Sequence, residues 1–278
     1  MATNGKHLLP SSRKRGAHKN KLIIAVTVLS VLVLAFLFLF FFTTLLDRVP
    51  PEEPKPLKIG RSKYDYPPMH YKENGEFVGF DIELAQAAAE IMGVEIEFVQ
   101  INWSEATDLL ANGEVDMLWG GLERASLDEK VMKFTKAYLR SNIVLLMPTD
   151  RDYSEWTDLQ GLSVCALNFT AAFNYLQVYN RDVIKSKRSF TPPEYQALTN
   201  SLSTGEFDCL ITDTAFASFY LKLNSGEALK MSETVMGSSY AVAVRIDDTG
   251  TFDKLQSALD ELEANGTIEM LRSKYIGN

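Results

Sequence analysis

Leu22 to Leu46 is an unbroken run of 25 uncharged residues, and nothing else in the chain restricts its fold so severely. The run includes Ile23, Val26, Leu34, Phe36, Phe38 and Phe40 to Phe42 and leaves no polar face. As a helix it covers roughly 37 Å, more than the ~30 Å hydrocarbon core of a bilayer. A soluble surface helix needs a polar side, and a secretory signal core is shorter, about 7 to 15 residues. No small-x-small cleavage site follows, and no cysteine before Cys165 offers a lipid anchor. The expectation is one transmembrane helix over 22–46. Residues 1–21 carry six Lys or Arg and no acid, and Asp47 follows the run. That asymmetry places the N-terminal tail in the cytoplasm and the body outside the cell membrane.

Those six are drawn from 28 basic residues, so 22 bases face 36 acids in the remainder, a formal charge of −14. An acidic body repels phosphate, which excludes nucleic acid as a partner. Residues 47–56 form a linker whose PPEEPKP stretch (Pro50 to Pro56) stays extended. The folded body begins at Leu57. Cys165 and Cys209 lie in apolar strand-like runs, SVCAL and FDCLIT, and are expected to be buried thiols. His7, His18 and His70 are too scattered for a metal site, so no metal or cofactor is expected. No Ser/His or Cys/His pairing is available for nucleophilic catalysis.

An internal repeat organises the body. LLANGEVDML (Leu109 to Leu118) recurs as SLSTGEFDCL (Ser201 to Leu210), 92 residues later. Each copy reads as a helix ended by a glycine, Gly113 or Gly205, followed by a short buried strand. The pattern predicts strands at 57–59, 95–99 and 115–118 with helices at 81–92 and 104–111. A second lobe has strands at 163–166, near 183–185 and at 209–212, with helices at 171–178 and 193–202. Such alternation gives parallel-type sheets in an α/β fold, and ligands then sit beyond the carboxyl ends of the strands. Arg61 to Tyr66, Trp119 to Gly121, Leu167 to Thr170 and Asp213 are delivered to that edge.

These segments carry a resemblance. YPPMHYKENGEFVGFDIELAQAAAEIMG (Tyr66 to Gly93), Trp103, LLANGEVDMLWGG, DLQGLSVCALNFT, TGEFDCLITDT and ELEANGTIEMLRSKYIG (Glu261 to Gly277) together resemble the polar amino-acid family, family 3, of extracellular solute-binding proteins. The resemblance implies a two-lobed periplasmic-binding-protein type II fold, here preceded by the transmembrane helix. Lobe 1 would comprise 57–140 and 241–278 and lobe 2 would comprise 141–240, joined by a hinge near Ser141 to Val144 and Gly237 to Ala241. It also implies a non-enzymatic clamp that captures a small polar solute, an amino acid or amine, for an ABC transporter permease. A ligand-sensing module for a signalling partner is the alternative. A dehydratase of the same fold is disfavoured, because the Glu those relatives carry after the lobe 2 turn is absent from Phe169, Thr170, Ala171 and Ala172.

The resemblance assigns candidate ligand-binding roles residue by residue. Asp213 matches the family carboxylate that holds a ligand ammonium, although it is equally placed to cap a helix. Thr170 opens a helix whose N-terminus favours a ligand carboxylate. Tyr64, Tyr66 and Trp103 match the aromatic cleft walls, while Trp119 reads as core. Gly120 and Gly121 form either a tight turn or a close backbone approach to ligand. One departure stands out. The family's carboxylate-clamping Arg is replaced by Asp128, a hydroxyl position is taken by Glu123, and Arg124 is the available substitute cation. Glu123, Asp128 and Asp213 together suit a cationic ligand.

Overall fold

The computed structural model describes residues 13–46, 55–123, 130–168, 170–179, 186–190, 201–226 and 228–277. The chain divides into two compact units, Met1–Glu53 and Pro54–Asn278. In the first, α1 (Arg13–Leu46) contains the stretch Lys19–Thr43 with a mean hydropathy of 3.1, the one helix among the described residues long and apolar enough to cross a membrane. Its few hydroxyls are hidden against the helix itself. Thr27, Ser30 and Thr43 donate to the carbonyls of Ile23, Thr27 and Phe40, which removes the cost of polar groups in hydrocarbon.

The second unit follows in chain order as β1 (Leu57–Ser62), β2 (Tyr71–Glu73), β3 (Glu76–Val78), α2 (Phe80–Met92), β4 (Ile96–Ile101), α3 (Ala106–Ala111), β5 (Met117–Leu118), β6 (Met132–Phe134), β7 (Leu139–Arg140) and β8 (Ile143–Pro148). After these come β9 (Ser163–Leu167), α4 (Ala171–Tyr179), β10 (Ser186–Phe190), β11 (Cys209–Asp213), α5 (Thr214–Leu223), β12 (Leu229–Met231), β13 (Ser239–Tyr240), β14 (Ala243–Arg245), α6 (Thr249–Ala264) and α7 (Thr267–Tyr275). Two five-stranded sheets result, ordered β4-β1-β5-β14-β6 and β10-β9-β11-β8-β12. In each, the first three strands are parallel and the last two join antiparallel. The parallel-type core expected from the sequence is present, with antiparallel strands added at one side of each sheet. β14 and β8 each arrive from the other lobe by direct crossing, without the helical crossover that makes consecutive strands parallel.

The repeat read from the sequence is structural. Asp116 accepts from the amide of Lys58 at 2.7 Å while its own amide donates to the Lys58 carbonyl at 2.8 Å. Asp208 does the same with Ser163, at 2.8 Å both ways. Each Asp therefore pins the start of a third strand to the start of a first. The expected strand at 183–185 is found one step later, as β10, and positions 183–185 and 193–200 lie outside the described residues.

α2 follows the hairpin of the ENGEFVGFD stretch (Glu73 to Asp81) and takes its first two residues from it. Phe80, Ile82, Leu84, Ala85, Ala88 and Ala89 are buried, and Asp81 and Glu83 favour the positive N-terminal end. α6 and α7 pack on α2, where Lys274 and Tyr275 both bond Glu83. The C-terminal segment thereby returns to the first lobe. Between the sheets, β7 pairs with β13, and Ser141 and Ile143 donate to the carbonyls of Ser238 and Met236. Cys165 and Cys209 are buried, and burial pushes the Cys209 thiol up to about 12.

Candidate functional site

Four segments meet where the two sheets face each other. β11 ends at Asp213, whose backbone is extended and whose Oδ1 caps α5 by accepting from the Phe216 amide at 3.0 Å. Capping occupies only part of the carboxylate. Oδ1 also accepts from Ser141 Oγ at 2.7 Å, and Oδ2 accepts from the Tyr66 hydroxyl at 2.5 Å. Tyr66 belongs to the first lobe. Its amide and carbonyl close a tight turn with His70, which aims the ring across the gap to stack on Phe216 at 6.4 Å. Tyr240 approaches the Tyr66 hydroxyl at 3.4 Å. Asp213, Tyr66 and Tyr240 are all buried.

Glu123 makes the second bridge between lobes. It follows β5 by a short turn and forms a bridge with Tyr240 that fixes its backbone. Its Oε2 accepts from the Ala171 amide at the start of α4 at 2.5 Å, and its Oε1 from Ser238 Oγ at 3.2 Å. The residue is 3% exposed. Burial, and then the nearby Asp213 carboxylate, push its pKa up to about 8. Deeper in the first lobe, Asp81 accepts from the Gly121 amide at 2.5 Å and from the Tyr138 hydroxyl at 2.7 Å. Burial outweighs those bonds and raises Asp81 to about 7.

A stability prediction arises from these two carboxyls. Both keep their protons in the folded state at pH values where the unfolded chain has lost them, so folding weakens as pH rises towards 8. Buried His70, held near 3 by burial and by Arg61, has the opposite slope, but its contribution is complete above about pH 6.5. The melting temperature should therefore fall between pH 6.5 and 8, and Glu123→Gln should flatten the upper part of that fall. Calorimetric scans across the interval check this; a melting temperature that rises from pH 6.5 to 8 contradicts it.

The other candidates separate cleanly. Thr170 is a helix cap: its hydroxyl donates to the Leu167 carbonyl and accepts from the Phe173 amide. The Gly121 amide donates to Asp81. Gly120 lies against His70 and Arg61. Trp103 packs on the apolar cluster around Leu110 and Leu118, and Tyr64 is partly buried beneath Lys63; neither joins the Asp213 network. Trp119 is core, with its ring 6.0 Å from Tyr138. Arg124 and Asp128 lie outside the described residues. Sequence reasoning missed Ser141, Ser238 and Tyr240 as site residues. Their only signal was a cluster of hydroxyls in the two segments expected to cross between lobes.

Residues 57–278 match the model of the bacterial extracellular solute-binding proteins, family 3. The arginine-binding extracellular protein ArtP of Bacillus subtilis (strain 168) is 29% identical over 234 residues, covering 80% of this chain and 86% of that protein. The ABC transporter arginine-binding protein 1 of Escherichia coli (strain K12) is 26% identical, covering 76% and 86%. A solved structure of an ancestral arginine-binding protein bound to arginine superposes with a TM-score of 0.69 at 26% identity, covering 81% of this chain and 99% of that one.

Proposed function

The chain belongs to the bacterial extracellular solute-binding proteins of family 3, and from that premise we propose that it captures a small cationic solute, an amino acid or amine, between its lobes. The observation that carries the proposal is the meeting of two buried carboxylates, Asp213 and Glu123, at the face between the sheets. Burying carboxylates costs free energy unless a cation or hydrogen bonds compensate them. A ligand ammonium or guanidinium at Asp213 would add a charge-assisted bond stronger than that from the neutral Tyr66 hydroxyl, while the rings of Tyr66 and Tyr240 offer faces to the same cation. The named arginine binders among the relatives support that chemistry. The relatives are binding proteins, and the described residues hold no cluster of His, Cys, Asp and Glu fit for a metal. Capture without chemistry is the simplest use of this cleft.

In this reading, α1 tethers the body to the outer face of the cell membrane and the occupied lobes are presented to an ABC permease. The paired segments 139–143 and 236–240 act as the hinge. A ligand drives closure only through contacts that it gains in the closed state, and the Tyr66–Asp213 and Glu123–Ala171 bonds are the cross-lobe contacts with which it must cooperate.

The test is a thermal-shift series on the full chain in detergent with arginine, lysine, agmatine, cadaverine and glutamate. Cationic members should raise the melting temperature by mass action and glutamate should not. A shift with glutamate alone would sink the proposal. Small-angle scattering on the compact unit Pro54–Asn278 should show a smaller radius of gyration at saturation with whichever cation binds, and an unchanged radius would favour a rigid site over a closing clamp.

A further inference from the structure

α4 runs for nine residues, and its first amides have no acceptor within the helix. They form the positive end of the helix dipole and face the cleft from the second lobe. Thr170 Oγ1 serves the Phe173 amide. The Ala171 amide points instead at Glu123 Oε2, a side chain from the first lobe, at 2.5 Å. The position where the second lobe would receive a ligand carboxylate is already filled by a carboxylate of the chain. Two other donors expected to serve such a group are also engaged internally. The Gly121 amide donates to Asp81, and the Thr170 hydroxyl donates to the Leu167 carbonyl.

The cation side of the cleft is arranged differently. Beyond the Phe216 amide that it caps, Asp213 accepts among the described residues from the neutral hydroxyls of Tyr66 and Ser141, which leave its charge open to an incoming ammonium. An amino acid entering amine-first at Asp213 would bring its α-carboxylate towards Glu123, meeting a position already filled and, once the ligand cation has drawn off the Glu123 proton, a like charge. A ligand with the same cation and no carboxylate would meet a counter-charge instead.

We infer that Glu123 is a built-in carboxylate that occupies the anion position at the start of α4, so that the cleft selects cationic amines lacking a carboxylate over the corresponding amino acids. The inference rests on the reading of the cleft as a site for a cationic solute. The raised pKa of Glu123 agrees with it, since a group that holds its proton in the empty cleft releases it when a cation arrives.

Calorimetry on the full chain in detergent tests this with two matched pairs, agmatine against arginine and cadaverine against lysine, which differ only in the α-carboxylate. Wild type should favour the amine of each pair at least about tenfold, since like charges brought together in a buried site are strongly disfavoured. Glu123→Ser, which empties the position, should reverse that ratio. Glu123→Gln keeps the position filled without charge and should keep a reduced preference for the amine, which guards against misfolding of the serine variant. Arginine binding to wild type as tightly as agmatine leaves the cationic-solute reading standing and overturns the role of Glu123. A ratio unchanged by Glu123→Ser in folded protein also overturns it. No binding of either pair to wild type or variants overturns both.

Discussion

Asp213→Ala should lower affinity for a cationic ligand by about 30-fold to several thousand-fold, the equivalent of roughly 2 to 5 kcal/mol for truncating one side of a buried charge pair. The effect is large because Asp213 is the acceptor on which the cleft converges. Ser141 from one crossing segment, Tyr66 from the first lobe and the Phe216 amide of α5 all donate to it. Removing it also leaves the Tyr66 and Ser141 hydroxyls buried without that acceptor, and the loss of a helix cap adds ~1 kcal/mol of destabilisation. Asp213→Asn separates charge from geometry. The amide oxygen still accepts from Phe216 and from one hydroxyl, so the fold should lose little, while the charge that binds the cation is gone. Titration calorimetry with agmatine should show both variants weakened and alanine the less stable. Wild-type affinity in Asp213→Asn would reduce Asp213 to a cap.

Asp213 was legible in the sequence as a helix cap because that role needs only local information: an apolar strand before it and an apolar helix after it. The repeat was legible for the same reason, since GEVD and GEFD encode a helix end, a strand start and the Asp that ties the strand to its neighbour. Glu123 was not legible as a bridge. Its partners are Ala171, 48 residues on, and Ser238, 115 residues on, and no local pattern distinguishes a Glu that leaves its turn for the opposite lobe from one that stays in water. The crossing segments could be placed approximately, but nothing local says that Ser141 and Tyr240 turn inward. Antiparallel β8 and β14 escaped for a related reason. Their direction is set by where the chain comes from in space, and the hydrophobic pattern of a strand buried on both faces is the same in either direction.

Gly121 joins local backbone chemistry to the assembled cleft, and Gly121→Ala should cost about 2 to 5 kcal/mol of stability while displacing Tyr66 from Asp213. Its backbone sits at φ +65°, where an alanine costs roughly 1 to 2 kcal/mol. A Cβ there would also lie 2.6 Å from Cδ1 and Cε1 of the Tyr66 ring, against an ordinary carbon separation of about 3.5 Å or more. Neither side yields freely. The Gly121 amide is held by the buried Asp81 carboxylate, and the Tyr66 ring is stacked on Phe216 with its hydroxyl on Asp213. Overpacking of this kind typically costs a further 1 to 3 kcal/mol. Gly205→Ala is the matched control, because its φ is +75° and a Cβ there meets nothing within 4 Å, so it carries the backbone strain alone. At about 2 to 4 °C per kcal/mol for a unit of this size, Gly121→Ala should melt roughly 4 to 20 °C below wild type and Gly205→Ala above it. Ligand affinity should fall only in Gly121→Ala, because only there is the ring that bridges the lobes pushed off its acceptor. Equal losses in the two variants, with agmatine binding intact in both, would show that Tyr66 moves aside at no cost and that its bond to Asp213 does not shape the cleft.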